Sequence, residues 1–267
     1  MRRVLRVAVI QFARERFEPE RNFRRMREWV ARVEEADVVF MPEAWVVATR
    51  IDEGRESELV AEYGVIAASR GFAVITGGLF VERGGRVRDV CHVIGSDGKL
   101  KGTAEKIFPS FPMGERNYCE AGDRLPVFEI GAAKAGILVC VDMLYPELCR
   151  SLARRGAEVI FNPSNIPEMR LPLWHSLVAA RAAENTVYVV FASNTGTEYP
   201  DGRAVSGGSV VAAPWGDILI KGGRRERIVY AEIDLSQVAE TRKRWRYLED
   251  IGGVRVGKTG KVTRAKR

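Results

Sequence analysis

The segment 136–147, GILVCVDMLYPE, places a cysteine where a thiol could do chemistry. Its first residues are apolar and predict a buried strand, and Cys140 stands where that strand should end, two residues before Asp142. A free thiol has a pKa of ~8.5 and is only slightly ionised at neutral pH, so a nucleophilic cysteine needs a base. A small cysteine that fills the core is the common alternative, and a base would decide between the two interpretations.

Histidine is the usual base for such a thiol, and the chain has two histidines. His92 falls within an apolar hairpin strand, and His175 falls on a helix beside Trp174. Both positions are typical of hydrogen-bonded structural histidines, so a Cys-His enzyme is poorly supported.

A carboxylate is better placed. In VVFMPEAW, a core strand ends at Pro42 and Glu43 follows at the rim of the predicted sheet. Burial between Met41 and Trp45 would raise the pKa of this carboxyl toward neutrality and make it a competent base. An exposed loop glutamate is the alternative for this segment taken alone.

A lysine follows a third strand. In TAEKIFPSFP, Lys106 ends a hairpin strand and begins an aromatic, proline-rich loop. A cation ~4 Å from a developing oxyanion is worth up to ~4 kcal/mol at an effective dielectric constant near 20, before desolvation is subtracted. Three strand ends thus carry Glu43, Lys106 and Cys140.

The elements that must position these side chains alternate between short runs rich in β-branched residues and longer helical periods. Many strands with a few helices between them indicate two sheets with helices on their outer faces, and so a single domain. The predicted strands are 4–12, 36–42, 72–80, 134–140, 157–164, 186–194 and 227–235, the hairpins are 89–107 and 208–222, and the helices are 18–35, 56–71, 145–156 and 172–185.

Length and composition limit the class of protein. A chain of 267 residues with 46% hydrophobic and 29% charged residues can bury a sizeable core. Its longest apolar runs fall short of the ~20 residues of a membrane span, and the amino-terminal segment is typical of a strand and has no cleavage site for a signal peptidase. We therefore expect a cytoplasmic protein that has no membrane partner.

The net charge of +7 is concentrated at the carboxyl end. Residues 241–267 contain ten of the 42 basic and two of the 35 acidic residues, so residues 1–240 carry a net charge of −1. Such a tail is more typical of a solvated end than of a nucleic-acid-binding device. The four cysteines form no C-x-x-C pair, which argues against zinc and thioredoxin-like chemistry, and we expect free thiols unless the source is a hyperthermophile.

Taken together, the motifs resemble those of the nitrilase, or carbon–nitrogen hydrolase, superfamily. FMPEAW, EKIF and ILVCVDMLYPE look like its Glu, Lys and Cys motifs in their usual order, and GERNYCEAGD places Glu115 on its second glutamate. Similar segments continue through FNPSN, WHSLVAARAAENTVYVV and GGSVVAAPWGDIL, from about Val4 to Leu235. The resemblance implies an α/β fold, a four-layer α-β-β-α sandwich that pairs into a homodimer or higher homo-oligomer, with a hydrolase domain over 1–250 and a basic tail over 251–267.

The resemblance also implies a mechanism without a cofactor or a metal. Glu43 would take the proton of Cys140, whose thiolate would attack an amide, nitrile or N-carbamoyl carbon and form an acyl-thioester. Lys106 and the backbone N–H of Val141 would hold the negative charge, and Glu115 would position substrate or tune the pair. We expect an amidase that releases ammonia or an amine from a small molecule, with an N-carbamoyl amide hydrolase or a nitrilase as alternatives. Further candidates for binding substrate are Leu144, Tyr145 and Asn165.

Two alternatives come from other classes of protein. One is a metal-dependent hydrolase using Glu43, Asp142 and Asn165, for which the two histidines are poorly placed as ligands. The other is a non-catalytic interaction protein with a basic tail, against which the intact Glu, Lys and Cys argue.

The residue types after Cys140 predict the charge of the substrate. Many relatives carry an arginine four residues after the cysteine, where this chain has Leu144 between Met143 and Tyr145. A substrate carboxylate would lose hydration there without a matched donor, which favours neutral or apolar acyl groups. Arg170, in PEMRLPLWH, is the residue that would reverse this expectation if it reached the site.

Overall fold

The computed structural model describes residues 3–46, 49–252, 254–256 and 262–264. Two mixed β-sheets pack face to face, and helices cover both outer faces, so the layers run α-β-β-α as expected. The strands in these residues are β1 Val4–Gln11, β2 Val38–Phe40, β3 Ile51–Asp52, β4 Ala73–Arg83, β5 Arg86–Ile94, β6 Leu100–Glu105, β7 Val127–Ile130, β8 Ala133–Ile137, β9 Val159–Ser164, β10 Tyr188–Ser193, β11 Thr197–Glu198, β12 Ala204–Val205, β13 Val210–Ala212, β14 Ile218–Lys221, β15 Arg227–Asp234, β16 Val254–Val256 and β17 Val262–Arg264. The helices are α1 Pro19–Ala31, α2 Glu53–Arg70, α3 Pro146–Arg154, α4 Leu171–Asn185, α5 Ser236–Arg244 and α6 Tyr247–Gly252.

The two sheets are built alike. The first has the order β15-β1-β2-β4-β5-β6, with β3 beside the end of β4, and the second has the order β14-β13-β10-β9-β8-β7. In each sheet three neighbouring strands run parallel, β1-β2-β4 in the first and β10-β9-β8 in the second. Because parallel strands end at the same edge of a sheet, residues that follow them meet there.

The core lies between the sheets and beneath the helices. Phe40 of β2 and Phe161 of β9 meet across the sheet interface with ring centroids 5.0 Å apart. Helix α1 buries Phe23, Met26 and Val30 against the outer face of the first sheet, as their spacing predicts. Helices α3 and α4 cover the second sheet in the same way.

Local signals explain most of the element boundaries. Helix α2 begins before the predicted 56–71 because Asp52 Oδ1 caps it, accepting the Arg55 N–H at 2.8 Å, and it ends as predicted at Gly71 with φ +74°. The predicted strand 134–140 ends early, at Ile137, because Cys140–Leu144 form a 3₁₀ turn. The short hairpin partner β7 and helix α5 were not predicted from the sequence.

Two further expectations concern the cysteines and membrane-spanning helices. Cys91, Cys119, Cys140 and Cys149 are free thiols and all four are buried. In the part of the chain that the structure describes, no helix is long and apolar enough to cross a membrane. Much of the predicted basic tail, 251–267, lies outside the described residues.

Candidate active site

Cys140 stands on a sharp turn at the carboxyl end of β8. Its φ is +47°, in the left-handed region that non-glycine residues rarely adopt, and it begins the 3₁₀ turn. Asn162 of β9 holds this turn, donating from Nδ2 to the carbonyls of Leu138 at 2.6 Å and Cys140 at 3.2 Å. The neighbouring parallel strand therefore fixes the backbone that presents the thiol.

Glu43 stands at the corresponding edge of the first sheet, where β2 ends. Its N–H donates to the Ser164 carbonyl of the second sheet at 3.3 Å, and its own carbonyl accepts from Asn194 Nδ2 at 2.7 Å. The Glu43 side chain is buried, as predicted, and so are its sequence neighbours Met41 and Trp45. Hydrogen bonds to two segments of the second sheet thus fix the backbone of Glu43, which the first sheet carries.

Lys106 joins the carboxylates of Glu43 and Glu115 at the centre of the site. Its Nζ lies 2.8 Å from Glu43 Oε1 and 2.8 Å from Glu115 Oε2, and its side chain is fully buried. Burial opposes the charge, but the neighbouring acids, Glu43 above all, outweigh it and hold the pKa of Lys106 well above its usual value. Lys106 is therefore a cation at neutral pH.

The loop after Lys106 is tied to the turn of Cys140 by Asp142. The Ile107 N–H donates to Asp142 Oδ2 and the Phe108 N–H to Asp142 Oδ1, each at 2.9 Å. Burial raises the pKa of Asp142 to about 7, against the lowering effect of these two hydrogen bonds. Asp142 thereby fixes the lysine relative to the thiol.

The thiol of Cys140 is neutral in this environment. Burial, the charge of Glu43 and a hydrogen bond to Glu43 raise its pKa well above the usual value, while Lys106 acts in the opposite direction. The arrangement therefore contains no preformed thiolate, and a nucleophilic Cys140 would need Glu43 as its base.

A pocket of about 240 Å³ opens above Cys140. Every pocket residue that the sequence analysis named lines it, whereas Glu43, Lys106 and Glu115 are buried residues outside this lining. Three arginines also line the pocket. The sequence predicted a pocket without charged groups, and Arg170 was the one arginine considered as an exception. The predicted residues are Cys140, Val141, Leu144, Tyr145 and Asn165, and the arginines are Arg116, Arg170 and Arg203.

Two features of this site were not predicted from the sequence. Asp89, on β5, is a buried carboxyl with its Oδ2 3.4 Å from Lys106 Nζ. Gly77 and Gly78 form an irregularity in β4, and a Cβ on Gly77 would lie 1.8 Å from the Pro42 carbonyl oxygen. An acid within an apolar strand and a Gly-Gly pair within another were the available signals.

The histidines and possible metal ligands fall elsewhere. His92 contacts Glu56 on the outer face of the first sheet, and His175 Nε2 lies 2.7 Å from the Gly208 carbonyl oxygen, so each has a structural partner as predicted. Among the described residues, no group of three or more His, Cys, Asp and Glu side chains is arranged to hold a metal ion.

Comparisons with known proteins agree with this architecture. A family model described as carbon-nitrogen hydrolase matches residues 6–243. The 2-oxoglutaramate amidase of Bacillus subtilis is 32% identical over 92% of this chain and 96% of its own, and omega-amidase NIT2 of Danio rerio is 31% identical over 71% and 70%. Among solved structures, a carbon–nitrogen hydrolase from Helicobacter pylori G27 superposes with a TM-score of 0.83 at 23% identity, covering 92% of this chain and 94% of that chain.

Proposed function

Because the chain belongs to the carbon–nitrogen hydrolase family and is an amidase-type C–N hydrolase, we propose that Cys140 is its nucleophile and Glu43 its base. One observation carries the proposal. A thiol on a turn with φ +47° lines the pocket, and the buried Glu43 that it contacts is paired with Lys106 at 2.8 Å. Few structural roles require a buried ammonium between carboxylates beside a thiol.

In the proposed first step, Glu43 takes the thiol proton as Cys140 Sγ forms a bond to the amide carbon. The carbonyl oxygen becomes an oxyanion, which Lys106 and the Val141 N–H stabilise. Glu43 returns its proton to the nitrogen, the C–N bond breaks, and ammonia or an amine leaves an acyl-thioester on Cys140.

In the second step, Glu43 takes a proton from a water molecule whose oxygen attacks the thioester carbon. The C–S bond breaks, the acid leaves, and the proton on Glu43 returns to Cys140. Glu115 takes no proton in this scheme. It accepts from the Ser110 N–H at 2.6 Å and contacts Lys106 Nζ at 2.8 Å, which supports a role in orienting the ammonium.

We further propose that the substrate is a small amide that carries a carboxylate. Leu144 lines the pocket, but so does Arg170, and none of the described residues forms an ion pair or hydrogen bond with the Arg170 guanidinium. Arg203, by contrast, already pairs with Asp201 at 2.8 Å. An unpaired guanidinium in the pocket that Cys140 lines suits a carboxylate, and the names of the relatives, 2-oxoglutaramate amidase and omega-amidase, point to amides of dicarboxylic acids.

Ammonia release from a panel of small molecules tests both proposals. The panel pairs an aliphatic amide with its ω-carboxylated analogue, and adds a nitrile and an N-carbamoyl compound of similar length. The carboxylated amide should have the highest kcat/KM, and Arg170→Ala should lower that value ~10- to 100-fold while changing the neutral amide little.

Arg203→Ala is the matched control, because it removes a pocket arginine whose charge Asp201 already balances. It should affect both amides equally. If the wild-type enzyme prefers the neutral amide, the expectation based on Leu144 holds and the carboxylate proposal is wrong, although the amidase mechanism survives.

The remaining expectations stay proposals. The match over residues 6–243 supports a catalytic domain within 1–250, with 251–267 as a basic appendage. Stacked and half-exposed, Trp245 and Tyr247 offer apolar surface for a homodimer or higher homo-oligomer, which light scattering would measure. Four free buried thiols are consistent with a reducing compartment such as the cytoplasm, which cell fractionation would test.

A further inference from the structure

Asp89 is a buried carboxyl for which the mechanism above has no use. Its side chain lies between the sheets with no exposed surface, and the Lys106 N–H donates to its backbone carbonyl at 2.9 Å. A Cβ placed on Gly78 would lie 2.4 Å from Asp89 Oδ1 and 3.2 Å from Glu43 Cγ. Since one point is this close to both side chains, the carboxyls of Asp89 and Glu43 are neighbours over the bare backbone of Gly78.

Hydrogen bonding distinguishes Asp89 from the other two acids. Glu43 Oε1 accepts from Lys106 Nζ at 2.8 Å, and Glu115 accepts from both Lys106 and the Ser110 N–H. Among the described residues neither oxygen of Asp89 accepts an N–H or O–H hydrogen bond, and Lys106 Nζ stands 3.4 Å away. An ionised carboxylate buried without donors is strongly disfavoured, so Asp89 is the acid least suited to carry a charge.

The charges in this cluster lead to the same assignment. Glu43, Asp89 and Glu115 face one ammonium, so three ionised carboxyls would leave a buried net charge of −2. Burial raises the pKa of Asp89 well above its usual value, Lys106 acts against this, and the charges of Glu43 and Glu115 add to it. One stored proton reduces the net charge to −1.

We propose that Asp89 is protonated in the resting enzyme and donates a hydrogen bond to Glu43, so that it is the positioning residue of the base. This proposal deepens the function proposed above and rests on Glu43 acting there. A donated hydrogen bond keeps Glu43 ionised and oriented before substrate arrives. When Glu43 then takes the thiol proton, the proton moves within the site, so catalysis leaves its total buried charge unchanged.

Glu115 is a second carboxyl near Asp89 whose pKa burial raises, but hydrogen bonds from Lys106 and the Ser110 N–H favour its charged form. Burial raises the pKa values of the two neighbouring thiols and of Tyr118, so all three are neutral at pH 7 and keep their protons. The titratable groups that face Asp89 are Glu43, Cys91, Lys106, Glu115, Tyr118 and Cys119.

Infrared difference spectroscopy of the resting protein tests the stored proton without any turnover. At pH ~8.5, where Asp142 with its pKa of about 7 is mostly ionised, the wild type should show the carbonyl stretching band of a buried protonated carboxylic acid, sensitive to deuterium exchange. Asp89→Asn should lack this band, and Glu115→Gln, the matched control, should keep it. If Glu115→Gln loses the band instead, or if the wild type has none, the proposal is wrong.

The kinetics of two substitutions test the positioning role. The amide introduced by Asp89→Asn can still donate to Glu43, so kcat should stay within ~10-fold of wild type. The decline of kcat/KM at alkaline pH should move to higher pH, because the amide at position 89 has no acidic proton to lose. Asp89→Ala should lose ~100-fold or more. Equal losses in both variants, or an unmoved pH profile in Asp89→Asn, would overturn the role.

The two proposals can fail separately. If Cys140→Ala keeps its activity, the proposed mechanism is wrong, yet the infrared assignment of Asp89 stands. If Asp89→Ala does not fold, the band in the wild type and the pH profile of Asp89→Asn still decide the matter.

Discussion

Strand β5 contributes one residue to a cluster of charged groups on each of its faces, and the two clusters differ in how their charges are balanced. The inner cluster, between the sheets, consists of Glu43, Asp89, Lys106 and Glu115. The outer cluster, beneath helix α2, is formed by Glu56, Arg83 and His92. Positions 89 and 92 fall on opposite faces because side chains alternate along a strand.

Burial alone does not separate the clusters, because it disfavours the charge of both Asp89 and Glu56. Glu56 overcomes it with donors on both oxygens, since Arg83 Nε lies 2.8 Å from Oε2 and His92 Nε2 lies 2.5 Å from Oε1. Hydrogen bonds from His92 and Arg83 lower the pKa of Glu56 to about 2 despite its burial, whereas that of Asp89 is raised. The outer cluster is saturated with donors and holds structure, and the inner cluster has too few and is suited to moving protons.

The largest expected effect is the loss of activity in Cys140→Ala. Removing the proposed nucleophile next to the inner cluster should lower kcat at least ~10³-fold, while the free energy of unfolding changes by about 1 kcal/mol or less because little volume is lost. Ammonia release and denaturant unfolding measure the two. In the wild type, iodoacetamide should label Cys140 before Cys91 or Cys149, and preferential labelling elsewhere with loss of activity would move the nucleophile.

Lys106→Arg should be nearly as harmful as Lys106→Ala. Both should lower kcat ~10²- to 10³-fold, since a planar guanidinium cannot occupy the position of an ammonium that contacts Glu43, Asp89 and Glu115. Lys106→Ala should also destabilise the fold by ~3–5 kcal/mol, because it leaves buried carboxylates unpaired. A Lys106→Arg enzyme with most of its kcat would contradict this role.

Glu56→Gln, in the outer cluster, should affect stability more than activity, which is the reverse of Cys140→Ala. It should lower the free energy of unfolding by ~1–3 kcal/mol, because Arg83 and His92 lose a charged acceptor, and leave kcat within ~2-fold. Thermal unfolding and ammonia release measure the two, with Glu62→Gln on the same helix as the exposed control. A large loss of kcat without a loss of stability would mean that the two faces are not independent.

Glu56→Gln should also change how the free energy of unfolding depends on pH. A carboxyl whose folded pKa lies below its usual value of 4.5 stabilises the protein above pH 4.5, and that stability is lost as the pH falls toward about 2. Glu56→Gln should therefore reduce the dependence of unfolding on pH in this window. Asp89, with its raised pKa, contributes no such stabilisation there.

The smallest effect should come from removing residues 251–267, which belong to neither cluster. The family match ends at residue 243, so kcat and the free energy of unfolding should both stay close to those of the full chain. Loss of activity with the oligomer preserved would mean that this segment reaches an active site.

The sequence by itself determined the features that depend on residues close together in the chain. The apolar runs placed strand ends at Glu43, Lys106 and Cys140. Asn165 and Arg170 could be named as candidates from their own short segments, because motifs are local. A proline and a glycine likewise fixed the start of α3 and the end of α2. These signals depend on backbone preferences that act within a few residues, so they can be read without the fold.

Only the tertiary structure decided which charges share an environment. Asp89 and Glu43 are far apart in the chain, and their contact depends on the pairing of β5 with β4 and on the irregularity at Gly77 and Gly78. The placement of Arg170 in the pocket likewise depends on the loop after β9. Whether a buried acid is charged depends on donors brought from distant segments, and strand register, which no local pattern encodes, determines which donors arrive.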